Sequence, residues 1–332
     1  MPVLRAVPED FVVDEVPLYP PCGEGEHTFV RVEKRLRSTE DVARDLARAA
    51  GVAPREVGYA GRKDRAALTR QWYSVPGLAP ERALRLELRG ARVLEAARHA
   101  HKLRTGHLAA NRFDLLVRDV PAAARARAPE AAAALAARGF ANRFGPQRFG
   151  RDGANPRRAL ALLRGGPAGP DRRGARFLLS ALQAAVFNDV LASRPLALDR
   201  LEAGDVAVVH RSGGLFTVED APAEQARAEA FEISATGPLF GTRMRPAAGA
   251  PGERERAALE AWEIPRPPRP PRGVRLRGGR RPLRARPMDL EVRAEDGGLR
   301  LRLALPPGSY ASVFVDALLE ACGAEAARVV VE

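Results

Sequence analysis

Alternating apolar residues with a period of two are concentrated at the two ends of this chain. That distribution constrains the fold more than any single motif. FVVDEV (11–16) and HTFVRVEKRL (27–36) predict strands, the second through Val30 and Val32. TRQWYSV (69–75), RLELRG (85–90) and NRFDLLVRDV (111–120) continue the pattern, with Phe113, Leu115 and Val117 on one face. LEVRAEDGGLRLRLALPPG (290–308) predicts a hairpin around Asp-Gly-Gly, and SYASVFVDALLEACG (309–323) a closing helix.

Between these ends the chain reads as mainly helical. STEDVARDLARAAG (38–51) is an early helix, capped by Ser38 or Thr39 and ended by Gly51. The Ala-rich stretch at 122–138, RRGARFLLSALQAAVFNDVLASR (172–194) and GERERAALEAW (252–262) predict further helices, and GDVAVVHRSGGLFTVED (204–220) a hairpin. The expectation is an α+β protein in which the C-terminal hairpin returns to the N-terminal sheet. One domain would then be formed by the two β-rich ends, 1–142 and 285–332, with 143–284 inserted. IPRPPRPPRGVRLRGGRRPLRARP (264–287) reads as extended and poorly packed, a basic linker beside RNA more readily than an SH3-type ligand.

With 45% hydrophobic residues among 332, the chain can bury a real core. Its net charge of +13 favours a polyanionic partner, usually nucleic acid. Only three lysines occur (Lys34, Lys63 and Lys102), so arginine supplies most of that charge. Two distant cysteines, Cys22 and Cys322, support neither a disulfide framework nor a cysteine zinc site, which fits a reducing cytoplasm. No apolar run of membrane length and no apolar N-terminal leader is read, so a cytoplasmic protein without a membrane partner is expected.

Phosphate-loop, dinucleotide and Gly-x-Ser-x-Gly motifs are absent from the sequence. His99, His101 and His107 have spacing that could hold a metal, but no carboxylate or cysteine lies close in sequence. Arg98, Lys102 and Arg104 make a phosphate-contacting loop the stronger reading, and no metal is expected. In GYAGRKDRAALTRQW (58–72), Asp64 stands among Arg62, Lys63, Arg65 and Arg70. Such cations favour the carboxylate form, making Asp64 a ready nucleophile or electrostatic stabiliser rather than a general acid. Read locally, the same stretch is also an ordinary solvated charge cluster on a turn.

Six ordered motifs break that tie. PEDFVVDE (8–15), GYAGRKDRAALTRQW (58–72), ARHAHKLRTGHLAANRF (97–113), NRFGPQRFGRDG (142–153), RFLLSALQAAVFN (176–188) and LPPGSYASVFVDALL (305–319) span nearly the whole chain. Together they resemble the TruD family of tRNA pseudouridine synthases. The resemblance implies a pseudouridine-synthase catalytic domain with a mixed, largely antiparallel sheet flanked by helices, plus an inserted α/β TRUD domain. It implies conversion of uridine to pseudouridine in tRNA, at position 13 in the D-stem region, without cofactor. Asp64 falls on the catalytic aspartate. Phe11, Asn111 and Tyr310 fall on positions lining the uridine pocket, and Phe113 on the aromatic of the Asn-x-Phe motif. Arg62, Lys63, Lys102, Arg104 and Arg148 are expected to contact tRNA, and the protein is expected to be a monomer. Ala110 stands where the family often has Gly, and Tyr310 where Phe is common. A non-catalytic RNA-binding protein on the same scaffold, and a nuclease or glycosidase using a carboxylate, are the competing readings.

Overall fold

The computed structural model describes residues 1–150, 152–166, 171–265 and 268–330. Residue 151 of the 142–153 motif and residues 266–267 of the Pro/Arg segment lie outside the described residues. The chain divides into two compact units, Met1–Ala136 with Pro287–Glu332, and Ala137–Arg286.

The first unit is built on an 11-stranded sheet. Across its main path the strands run Met288–Glu295, Gly298–Leu305, Leu108–Arg118, Phe11–Pro17, Leu68–Pro76, His27–Arg35, Ala91–His99 and Glu87–Leu88. Phe11–Pro17 pairs in parallel with Leu68–Pro76, and Val3–Leu4 with Arg328–Val329; the other pairings are antiparallel. The sheet is therefore mixed and largely antiparallel, and the protein is α+β. The C-terminal hairpin turns at Asp296–Gly297, where Gly297 takes the left-handed φ of +68° that such a turn requires. Its second strand adds to the edge of Leu108–Arg118, setting Leu303 opposite Phe113 and Leu305 opposite Asn111.

The Thr39–Ala50 helix covers part of one sheet face. The Ser38 side chain accepts from the Asp41 N–H, Asp41 accepts from the Ser38 N–H, and Gly51 closes the helix at φ +71°. Val42 and Leu46 are buried against Val30, Val32, Tyr73 and Val75. Each such side chain contributes about 1.5–3 kcal/mol relative to exposure.

The Ala91–His99 strand is not among the expected strands. ARVLEAARH is rich in residues that favour helix, but the segment pairs with His27–Arg35 from His27 opposite His99 to Lys34 opposite Ala91. Tertiary pairing overrides the local preference there.

In the second unit, the Asn155–Leu163 and Arg172–Ala192 helices share a core with Phe240, Ile264, Val274 and Leu276. A 4-stranded sheet orders Leu215–Thr217, Val206–Val209, Ile233–Leu239 and Gly279–Pro282. The expectation of a poorly packed 264–287 is corrected here. Ile264, Val274, Leu276 and Leu283 are buried, and Gly279–Pro282 pairs with Ile233–Leu239. Four apolar anchors among many prolines and arginines suffice to dock the segment, although its bulk composition conceals them. The Arg172–Ala192 helix is long and apolar enough to cross a membrane by length and composition, and 61% of its apolar window is buried within the protein.

Candidate active site

One face of the first sheet carries an unusual row of polar side chains. Residues alternate in direction along each strand, and the pairing register then fixes which side chains share a face. Val13 lies opposite Phe113 and Thr69, Glu15 opposite Asn111, Lys34 opposite Thr69, and Val32 opposite Gln71. Phe11, Glu15, Lys34, Thr69, Gln71, Asn111 and Phe113 therefore share one face. Glu15, Lys34, Thr69 and Gln71 are all buried.

Asp64 stands on the irregular turn that enters the Leu68–Pro76 strand. Its carboxylate accepts a hydrogen bond of 2.5 Å from Arg5 Nη2, and its side chain keeps 41% exposure. The Arg5 guanidinium lies 3.7 Å from the centroid of the Phe11 ring. Phe11 meets Phe113 edge-to-face, with centroids 6.0 Å apart. Carboxylate, guanidinium and two rings thus form one continuous chain of contacts. Arg5 has a positive φ of +64°, a strained backbone for a residue with a side chain, so the surrounding fold holds it there.

The cations flanking Asp64 in sequence pair elsewhere. Arg62 bonds Glu40 at 2.6 Å, Arg70 bonds Glu33 at 2.9 Å, and Arg65 donates to the Leu36 carbonyl. Lys63 differs most from expectation. Its ammonium is buried on Glu15 at 2.5 Å, with side-chain exposures of 7% and 1%. A lysine so enclosed serves the interior rather than a phosphate at the surface. Glu15 also accepts from the Trp72 N–H, which ties the pair to the Leu68–Pro76 strand.

Three side chains on regular elements hold the turn's backbone. Gln71 Nε2 donates to the Gly61 carbonyl at 3.1 Å, Thr39 Oγ1 accepts from the Lys63 N–H at 3.0 Å, and Lys34 Nζ donates to the Asp64 carbonyl at 2.9 Å. Thr39 Oγ1 donates in turn to Gln71 Oε1 at 2.8 Å. Asn111 Oδ1 and Thr69 Oγ1, both buried, have no hydrogen-bond partner among the described residues. Such acceptors are costly unless another group supplies a donor.

Tyr310 is half-buried at the cap of the Ala311–Ala321 helix, five residues beyond the strand that ends opposite Asn111. Lys102 and Arg104 lie on the turn before Leu108–Arg118; Lys102 donates to the Arg55 carbonyl at 2.6 Å and Arg104 is exposed. This turn packs directly on Gly58, where an added Cβ would fall 2.2 Å from the Leu103 carbonyl oxygen. Arg148 belongs to the second unit, 5.8 Å from the Phe144 ring and 5.7 Å from Phe177. His99 stacks on Tyr19, and His107 Nδ1 lies 2.7 Å from the Tyr19 hydroxyl. Among the described residues no group of three or more His, Cys, Asp or Glu could hold a metal.

Arg5, Glu15 and Lys34 were missed as site residues by sequence reasoning. Arg5 lies 59 positions from Asp64 and precedes the PEDFVVDE motif, so no local pattern joins them. Glu15 ends that motif, and an acid falling by period two on the same face as Phe11 and Val13 was the available signal.

The family model described as tRNA pseudouridine synthase D (TruD) matches residues 2–166 and 171–317. A tRNA pseudouridine synthase D of Anaeromyxobacter dehalogenans (strain 2CP-C) is 46% identical over 327 residues, covering 96% of this chain and 93% of the relative. One from Thermus thermophilus is 44% identical over 313 residues, covering 93% of this chain and 86% of the relative. A crystal structure of a TruD protein from Methanosarcina mazei superposes with a TM-score of 0.71 at 22% identity, covering 97% of this chain and 94% of the other, which shows a shared fold. The chain belongs to the tRNA pseudouridine synthase D (TruD) family.

Proposed function

We propose that this protein converts uridine to pseudouridine in tRNA, at position 13 in the D-stem region, using Asp64 as its single catalytic carboxylate and no cofactor. The contact chain Asp64–Arg5–Phe11–Phe113 carries the reading, because it sets a half-exposed acid, aimed by Arg5, at the edge of a buried aromatic pair on the face that also bears Asn111. A base must leave its stack to reach a protein carboxylate, at a few kcal/mol. Stacking on an aromatic ring returns about 1–3 kcal/mol. Half-buried Tyr310 supplies the accessible ring, buried Phe11 and Phe113 line the pocket behind it, and Asn111 Oδ1 is an acceptor for the uracil N3–H.

The isomerisation breaks the N1–C1′ bond and makes a C5–C1′ bond. N1 gains a proton and C5 loses one, so no electron leaves the substrate and no redox partner is required. The carboxylate starts the reaction at C1′, at C6, or by taking a sugar proton, and each route needs it exposed and aimed. Arg5 aims it. Arg62, Arg104 and Arg148, with the exposed Arg65, provide cations for tRNA phosphates, while Lys63 fixes Glu15 and the turn. Lys102 ties its turn to the Arg55 carbonyl and adds charge there.

Pseudouridine mapping on tRNA with the wild type and Asp64→Asn tests this. The variant is expected to bind tRNA normally and form no pseudouridine. Normal product from Asp64→Asn would overturn the role of Asp64; chain scission or free uracil from the wild type would replace the isomerase with a nuclease or glycosidase.

A further inference from the structure

The isomerisation uses no lysine at the substrate, yet one lysine is almost wholly enclosed beside the catalytic turn. Lys34, on the His27–Arg35 strand, is 1% exposed. Its ammonium donates to the Arg37 carbonyl at 2.7 Å and to the Asp64 carbonyl at 2.9 Å. We propose that Lys34 is a positioning residue for the isomerisation, fixing the main chain of Asp64 from below while Arg5 fixes its carboxylate. The proposal rests on Asp64 being the catalytic carboxylate.

Geometry supports it first. Asp64 sits on a turn without regular hydrogen bonding, so its backbone is placed by side chains reaching from strands and a helix. Gln71 and Thr39 hold Gly61 and Lys63, and Lys34 holds the reactive residue itself. A carbonyl gripped by a cation leaves the attached side chain one remaining freedom, rotation about its own bonds, which the Arg5 contact removes. Supporting contacts of this kind keep a reacting group within the narrow geometry that catalysis needs.

Energetics supports it second. Among the described residues Lys34 bonds two carbonyl oxygens and no carboxylate, so its charge is incompletely compensated. Burial pulls its pKa down to about 8, against the opposing pull of the nearby Asp64 charge. Lys63 on the same turn repels it, and Glu40 and Asp41 on the helix attract it weakly. A buried cation held at the expense of stability, touching the backbone of the reactive residue, matches the trade between stability and activity common at active sites.

The test uses the full chain, with single-turnover pseudouridine formation, KM for tRNA and thermal unfolding measured for Lys34→Met. The expected result is a kcat lower by about 100-fold, the loss that a small misplacement of a reacting group produces. KM stays within about twofold, and Tm holds or rises because a buried charge has been removed. Lys34→Gln keeps a donor without the charge and should fall between; it serves if the methionine variant is insoluble. The wild-type kcat should also decline as pH rises through about 8, where the ammonium loses its proton, and Lys34→Met should lack that decline. A Tm falling in step with kcat, or an unchanged alkaline limb in Lys34→Met, would overturn the proposal. Asp64→Asn is measured beside it. If that variant makes product, the reading of Asp64 fails. If it is inactive while Lys34→Met turns over normally, the role of Lys34 alone fails.

Discussion

At Asp64 the sequence draws attention to a carboxylate whose charged surroundings the structure rearranges. Clustered cations suggested an acid steered by its neighbours, but those neighbours bond Glu40, Glu15 and Glu33, and the partner of Asp64 is Arg5. Linear proximity reports which charges are present and cannot report where their long side chains end. Arg5 invites a test in which two terms oppose. Arg5→Gly removes a cation–π contact worth about 1 kcal/mol and a partly exposed ion pair to Asp64 worth up to about 1 kcal/mol, and it relieves a left-handed backbone that costs about 1–2 kcal/mol in any residue with a Cβ. Thermal stability is therefore expected to change little. Pseudouridine formation should drop by about 100-fold or more, because the preorganised charge at the carboxylate is lost. A Tm loss large enough to explain the activity would show that Arg5 is merely structural.

Elements divide by how their apolar residues are spaced. The Thr39–Ala50 helix and the C-terminal hairpin were legible because cap, period and turn residues agree locally. Ala91–His99 was not legible, since its identity as a strand comes from its partner. The Pro/Arg segment was misjudged because composition averages over the few residues that dock it. Its most informative member is Arg284, which is 1% exposed and lies 4.2 Å over the Phe231 ring. Its guanidinium donates to Ser234 Oγ, to the Arg138 and Ile233 carbonyls, and to the Ala228 carbonyl, with no acid among these partners. Burial and the nearby Arg286 lower its pKa against the pull of Asp199. Arg284→Ala strips several buried acceptors at once and leaves a cavity in the second unit. The stranded acceptors and the cavity outweigh the relief of removing a buried charge, and a loss of about 2–5 kcal/mol is expected in urea unfolding of the full chain. A loss below about 1 kcal/mol, the value of a single ordinary hydrogen bond, would contradict this account.

Over the whole molecule, the buried bases give stability a definite dependence on pH. His27 and His99 in the first unit have pKa values lowered by burial and by neighbouring positive groups, and His210 in the second, more exposed as a whole, has its pKa lowered by partial desolvation of its ring and by Arg284. For each, the unfolded chain takes up a proton near pH 6.5 while the folded chain resists, so the unfolded state holds more protons just below that pH. Stability therefore falls as pH drops from about 7 toward 5. Lys34 works in the same sense in a different window: the unfolded lysine keeps its proton to 10.5 and the folded one only to about 8. Between those values stability rises with pH. The Cys322 thiol, raised above 9.0 by burial, acts in the opposite sense once the unfolded thiol ionises, so the clean comparison ends near pH 9. Thermal unfolding at about pH 5.5, 7.5 and 9 should give a Tm that increases across the series. The step from about 7.5 to 9 should shrink in Lys34→Met, and the step from about 5.5 to 7.5 should shrink in His99→Phe. A wild-type Tm that falls between about 7.5 and 9 would contradict the burial of a charged Lys34, since stability then could not be gained by releasing its proton.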